Sequence, residues 1–457
     1  MDGLSASLEK MRTAGVPQTA IDTFGNYYER LRGGDTGVLR EDEIDPVERI
    51  PDFDELPDAG QDSAVLERAV VIKLNGGLGT SMGLTSAKSL LEIKDGLTFL
   101  DVIVRQVLAI RKVAGPRLPL VLMNSFATHD DTLAAIERYP ELAGDVPLAF
   151  VQNRFPKLLA DQLTPVSWPA NPSHEWAPPG HGDLYAAIVA SGMLDSLLER
   201  GYRYAFVSNS DNLGATLEPR ILSWFAELGA PFVMEVADRT AADRKGGHLA
   251  RRRDGQLVLR ESAQTREEDT EAFQDVTRHR YFNTNNLWLD LRALDELLAR
   301  RGGVLGLPMI VNRKTVDPAD RSTPAVIQLE AAMGAAISVF EGSAALRVPK
   351  RRFAPVKTTD DLLVVRSDAY ALAEDATVEL APGRREAPVV ELDPEFFKLL
   401  ADFESRFRAG PPSLVDCERL RVRGDVTFGR GVMIRGDVAI DAAGGARRIE
   451  DGAVLCG

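Results

Sequence analysis

Residues 69–89 read AVVIKLNGGLGTSMGLTSAKS. The run Ala69-Val70-Val71-Ile72 is apolar throughout, as in a strand buried on both faces. It opens into Gly76-Gly77-Leu78-Gly79, where backbone N–H groups can approach a polyphosphate because no Cβ stands in the way. Lys73 and Lys88 bracket this loop with positive charge. The stretch fits neither standard phosphate fingerprint. After Gly77-Leu78-Gly79 the next glycine, Gly83, falls one residue late for G-x-G-x-x-G. Lys88-Ser89 fits the end of a P-loop, but Met82 and Ala87 stand at its glycine positions. Taken alone, the loop is open to two readings, a phosphate cradle or a structural strand-to-helix turn.

Size and composition narrow the field. The chain has 457 residues, 44% of them hydrophobic and 27% charged, enough for a large core and two or three domains. Its net charge of −14 argues against nucleic-acid partners and anionic membrane surfaces, so a phosphate site must be a local basic pocket. Cys417 and Cys456 are too few for a disulfide framework, and five histidines with no Cys/His cluster argue against structural zinc. The first residues lack an apolar signal segment, and no run reaches the about 20 apolar residues of a membrane span. A cytoplasmic enzyme is expected.

Along the chain, Leu4, Leu8, Met11, Val16, Ile21 and Phe24 predict amphipathic helix within residues 1–30. An acidic, proline-containing wrap or linker follows over 34–62. Strands are expected at 69–74, 119–124, 148–152, 204–208, 231–237 and 336–340, with helices at Phe99–Val113, Tyr185–Arg200 and Ala293–Arg301. That alternation predicts an α/β sheet covered on both faces, with ligands at the carboxyl ends of its strands. Polar groups lie there: Asn75, Asn124, Gln152-Asn153 and Ser208–Asn212. In the tail, Arg423-Gly424-Asp425-Val426 recurs twelve residues on as Arg435-Gly436-Asp437-Val438. Read as two turns of a hexapeptide repeat, it predicts a small β-helix whose open edge invites a cap or a partner subunit. A cell-adhesion reading of the Arg-Gly-Asp tripeptide is discounted, because the tripeptide is common by chance and the chain lacks secretion signals.

Four further motifs carry chemistry. Pro178–Asp183 is a rigid, glycine-flanked loop that aims His181. Asp211, in Ser208-Asn209-Ser210-Asp211-Asn212, follows a strand and suits Mg²⁺, which takes one or two carboxylates and completes its shell with phosphate oxygens and water; an Asn/Asp-rich turn also forms without a metal. Asn283 and Asn285 would face the same side of a strand and offer the mixed donors and acceptors that sugar hydroxyls require. Arg351–Thr359 places a third lysine, Lys357, in a proline-stiffened segment. No Ser/His/Asp nucleophile system is present. The set suits phosphoryl or nucleotidyl transfer, where the protein positions and neutralises.

These motifs, in order over roughly residues 60–380, resemble the eukaryotic-type UTP–glucose-1-phosphate uridylyltransferase (UDP-glucose pyrophosphorylase) family. The matching runs are Lys73–Met82, Asn124-Ser125, Gln152, Pro178–Asp183, Phe206–Ala215, Lys245-Gly246-Gly247, Phe282–Trp288 and Ala354–Thr359. The resemblance implies a Rossmann-like mixed-sheet nucleotidyltransferase core over 61–385, a helical N-terminal segment over 1–60 and a small left-handed β-helix over 386–457. It implies synthesis of UDP-glucose and pyrophosphate from UTP and glucose 1-phosphate, assisted by Mg²⁺, with homo-oligomers through the tail as an option. Site roles follow residue by residue. Leu74, Asn75, Gly76, Gly77, Gly79, Gln152, Gly180 and Asn209 would hold the nucleotide, with Gln152 reading the uracil. Lys88, Lys357 and His181 would act on the phosphates, and Asp211 would bind the metal. Gly247, Glu261, Asn283, Asn285 and Phe353 would line the sugar. One departure stands out: Ser86-Ala87 precedes Lys88-Ser89 where Gly-Pro is commoner. A pyrophosphorylase for galactose or N-acetylglucosamine 1-phosphate, and a non-catalytic UDP-sugar-binding or assembly protein, are the competing expectations.

Overall fold

The chain is described here by a computed structural model covering residues 2–58, 63–115, 117–240, 243–442 and 444–457. The opening run forms the strand Ala69–Asn75 at the middle of a ten-stranded mixed sheet. It pairs in parallel with Tyr204–Asn209 on one side and Leu120–Asn124 on the other, and the latter pairs in parallel with Ala149–Val151. Tyr281–Asp290 then adds antiparallel to Tyr204–Asn209, and Phe232–Asp238 pairs antiparallel with Tyr281–Asp290. The register sets Asn75 beside Asn124 and Asn209 beside Leu74, so the polar strand ends share one edge. Val70 and Ile72 face one core layer, with Phe24, Tyr27 and Leu184. Ala69 and Val71 face the opposite layer, with Leu100, Val104 and Phe225. Both faces are therefore apolar, which is why this strand shows no period-two alternation.

The helix Phe99–Ala114 begins at a reciprocal cap: Thr98 Oγ1 accepts from Asp101 N, and Asp101 accepts from Thr98 N. The N-terminal segment is two helices, Gly3–Thr13 and Gln18–Arg32, which pack into the sheet's first core layer. The wrap is not merely a linker. Ile44–Pro46 joins the sheet edge antiparallel to Ala250–Arg252, while 59–62 lie outside the described residues.

Three expectations change. Residues 336–340 are not a strand: Met333–Ser338 is a buried 3-10 helix, and a wholly buried apolar run reads alike in either geometry. The expected helix at Tyr185–Arg200 is two short helices, Leu184–Ala190 and Met193–Glu199, broken at Gly192 in the left-handed region (φ 72°). In the tail, Val389–Leu392, Ser413–Arg423, Met433–Asp441 and Val454–Cys456 stack as parallel strands. Leu420 pairs with Val438, an offset of eighteen, so the two Arg-Gly-Asp copies, twelve apart, do not lie on one another. Both their glycines turn the chain with positive φ. The tail's core includes Met82 of the glycine loop and Leu363, so it packs on the sheet domain.

Candidate active site

The glycine loop leaves the sheet at the edge where the parallel strands end. A Cβ on Gly76 would lie 3.1 Å from Gln152 Oε1, so the Gln152 amide sits directly on this residue. Gln152 is held there by its backbone N–H, which donates to Asn124 O at 2.8 Å. Space beside Gly77 is open. Gly79 turns the chain at φ 65°, and Lys88 N–H donates back to Gly77 O, closing the loop. Asn75, by contrast, turns its side chain inward and donates to Asn124 Oδ1 and Thr132 Oγ1 at 2.7 and 3.0 Å, so it anchors the loop from below.

Lys88 and Asp211 meet: Nζ stands 2.7 Å from Oδ2 in a partly buried pair. Lys73 does not join them. It is 2% exposed, and its ammonium donates to Ser208 Oγ at 2.7 Å and to the Ala215 carbonyl. The expectation that Lys73 brackets the loop toward a ligand is therefore wrong. Its strand position points it under the sheet edge, where it ties the two ends of the 208–215 turn. Among the described residues, no three His, Cys, Asp or Glu side chains converge. Asp211 thus offers one carboxylate, a donor set that fits Mg²⁺ completed by phosphate oxygens and water.

Gly180 (φ 78°) lets its loop lie against Ala331, whose carbonyl a Cβ would meet at 2.6 Å. His181 Nδ1 accepts from Met333 N–H at 3.0 Å, so the ring is neutral with its proton on Nε2. Burial pushes its pKa down to about 4. The 3-10 helix misread as a strand thus supports the site at two points. It supplies this N–H, and a Cβ on its Gly334 would lie 2.9 Å from Asn283 Nδ2.

On the other flank, Asn283 and Asn285 do not simply alternate. The strand bulges against Glu235/Val236, and Asn285 takes a positive φ of 58°. The two amides then bond each other, Asn283 Nδ2 donating to Asn285 Oδ1 at 2.8 Å. Asn283 N–H donates to Gly247 O, and a Cβ on Gly247 would lie 2.5 Å from Glu261 Oε2, so all four residues converge. Burial raises the Glu261 pKa, and the charge of Lys357 opposes that rise. Phe353 stacks edge-on with Phe282 at 4.9 Å between centroids, and Lys357 Nζ lies 5.8 Å from the Phe353 ring.

The 353–357 segment is clamped to the Asp211 turn, with Val356 N–H donating to Asp211 O at 3.1 Å. Lys357 immediately precedes the Thr358 cap of helix Thr359–Arg366, and its own N–H donates to Asp361 Oδ2 at 2.7 Å. Asn209 closes the same turn by accepting from Asn212 N–H. Sequence reasoning missed two buried pairs behind this surface. Asp183 accepts twice from Asn153, tying the Gln152 and His181 loops together. Glu235 pairs with Arg352. Their only cue in the sequence is an ionisable residue inside an apolar or motif-rich run.

The family model described as UTP–glucose-1-phosphate uridylyltransferase matches residues 21–435. A curated protein of that name from Solanum tuberosum is 42% identical over 416 residues, covering 89% of this chain and 85% of its own. One from Hordeum vulgare is 43% identical, covering 86% and 81%. Among solved structures, a mutant UDP-glucose pyrophosphorylase from Leishmania major in complex with UDP-glucose superposes with TM-score 0.94 at 45% identity, covering 100% of this chain and 98% of that one. A Trypanosoma brucei structure named UDP-glucose phosphorylase superposes with TM-score 0.90 at 45% identity, covering 100% and 99%. With the match spanning nine-tenths of its length, the chain belongs to the UTP–glucose-1-phosphate uridylyltransferase family.

Proposed function

We propose that the chain catalyses UTP + glucose 1-phosphate ⇌ UDP-glucose + pyrophosphate at this strand-end edge. The observation that carries the reading is the meeting at Asp211 of two elements: Lys88 pairs with its carboxylate and the segment that carries Lys357 is bonded to its backbone, between the glycine loop and the Asn283–Asn285 amides. Gly76, Gly77, Gly79, Leu74, Gly180 and Asn209 form the nucleotide wall, with Gln152 facing the uracil edge and Asn75 bracing the wall from beneath. Gly247, Glu261, Asn283, Asn285 and Phe353 face the glucosyl group.

A phosphate oxygen of glucose 1-phosphate attacks the α-phosphorus of UTP. The new P–O bond forms as the bond to the bridging oxygen of pyrophosphate breaks, in line. The nucleophile is already anionic near neutral pH, so no general base is required. The obstacle is repulsion between two anions. Lys88 and Lys357 reduce it, and the neutral His181 donates from Nε2–H. Asp211 would hold Mg²⁺, which when bound neutralises charge on the phosphates and the leaving group.

The remaining assignments belong to the same reading. The division at 1–60, 61–385 and 386–457 separates helical segment, catalytic body and tail. The tail is a left-handed β-helix, a reading supported by the parallel stacking of its strands and by the eighteen-residue offset between Arg419–Arg423 and Asp437–Asp441, which is three hexapeptides. Val454–Cys456 lies at one side of the four-stranded tail sheet, and association of copies of the chain through the tail belongs to the same reading. The protein works in the cytoplasm without nucleic-acid or membrane partners; no helix among the described residues is long and apolar enough to cross a membrane.

Pyrophosphate release from UTP with a panel of sugar 1-phosphates tests the function. Release with glucose 1-phosphate, and not with the galactose or N-acetylglucosamine analogues, is expected. Silence with every sugar would leave a binding protein, and preference for another sugar would reassign the substrate.

A further inference from the structure

Glu235 and Arg352 form a bidentate ion pair in the interior. Arg352 Nε donates to Glu235 Oε2 and Nη2 to Oε1, each at 2.7 Å. Glu235 is 0% and Arg352 4% exposed. The carboxylate accepts two further bonds, from Trp288 Nε1 at 2.9 Å and Asn286 Nδ2 at 3.0 Å. Four donors on one buried carboxylate fix it in place. Neither residue reaches the edge where the substrates are placed, yet several of their hydrogen bonds lead there.

Three connections run outward. Arg352 Nη2 donates to Thr216 O at 3.0 Å, at the end of the turn that carries Asp211. The Arg352 carbonyl accepts from Asn212 Nδ2 and Asn286 Nδ2, both at 3.2 Å, joining that turn to the bulged strand. Asn212 Oδ1 in turn accepts from Ala354 N–H at 2.9 Å, one residue beyond Phe353. The approach is close: a Cβ on Gly214 would lie 2.2 Å from Arg351 O. Glu235 itself sits at the register shift that turns out Asn285, and its carbonyl accepts from Thr284 Oγ1 at 2.8 Å.

We propose that Glu235 and Arg352 are positioning residues for nucleotidyl transfer, holding the segment that carries Phe353 and Lys357 in register with Asp211 and the Asn283–Asn285 bulge. The inference rests on the assignment of Lys357 to the phosphates. A buried ion pair replaced by apolar side chains of similar size commonly keeps or regains stability, whereas removing one partner strands a charge. Stability and positioning are therefore separable here.

The test measures steady-state kinetics and melting temperature of Arg352→Met, of the double variant Glu235→Leu/Arg352→Met, of Lys357→Ala, and of Arg352→Met combined with Lys357→Ala. A displacement of the lysine by about 1 Å is worth about 100-fold in rate, so Arg352→Met should lower kcat by about that factor while KM for UTP moves less than about threefold. The double apolar variant should recover the melting temperature and stay slow. In the Lys357→Ala background, Arg352→Met should cost less than about threefold, because the residue it positions is already gone. Wild-type turnover in the double apolar variant, or the full loss repeated in the Lys357→Ala background, would overturn the proposal. Unchanged turnover in Lys357→Ala alone would overturn the role of Lys357, and the positioning claim with it.

Discussion

Replacing Lys73 by methionine keeps the stem inside the protein and removes the ammonium. Burial drives the pKa of Lys73 from 10.5 down to about 7, with the Arg352 charge adding to the fall and Glu235 opposing it. The unfolded chain therefore holds this proton through pH 9, while the native protein gives it up from about pH 7. Between those values the unfolded state binds more protons, so stability rises with pH. For a single group titrating at about 7 folded and 10.5 unfolded, linkage gives a rise of about 2 kcal/mol from pH 7 to pH 9. The Lys73→Met protein lacks this contribution, whatever its absolute stability after losing the bonds to Ser208 and Ala215. Urea unfolding of both proteins at pH 7 and pH 9 reads the difference directly, because every other titrating group is shared. An equal pH dependence in the two proteins would refute the account of a fixed, desolvated Lys73 under the Asp211 turn.

Other outcomes follow from single positions. NMR of labelled histidine should show His181 neutral with its proton on Nε2 down to about pH 5, because burial lowers its pKa to about 4; a midpoint near 6.5 would contradict this. Ala87 has φ −56° and its N–H has no hydrogen-bond partner among the described residues, so Ala87→Pro should raise stability by about 0.4–1 kcal/mol in denaturant unfolding; a loss would show that the commoner family proline does not fit this loop. Asn285 stands at φ 58°, so Asn285→Ala should cost roughly 1–2 kcal/mol more than Asn285→Gly in the same unfolding assay. Gly180→Ala forces a Cβ to 2.6 Å from Ala331 O at positive φ, and should shift the His181 loop enough to lower kcat/KM at least about tenfold.

Much of this was legible in the residues because local physics decided it. Val70 to Ile72 are apolar on both faces, and the glycines after them had no use in a strand. The polar strand ends announced the edge that the register then aligned. What stayed hidden depends on partners far along the chain. Lys73 reads as a free cation until Ser208 and Ala215 are seen to enclose it. Asn283 and Asn285 read as an alternating pair until Glu235 shifts the register between them. Residues 336–340 read as a strand because burial on all sides erases the period that separates helix from strand. The Asp183–Asn153 and Glu235–Arg352 pairs have no spacing that marks them; only the fold brings them together.

A crystal structure of the protein with UDP-glucose and Mg²⁺ tests the central claim most directly. The account predicts the uracil against Gly76 with its edge on the Gln152 amide, the glucosyl hydroxyls among Glu261, Asn283 and Asn285, and the diphosphate facing Lys357 and Asp211. A nucleotide bound away from the strand-end edge, or a glucosyl group with no contact to Glu261 or Asn283, would contradict it.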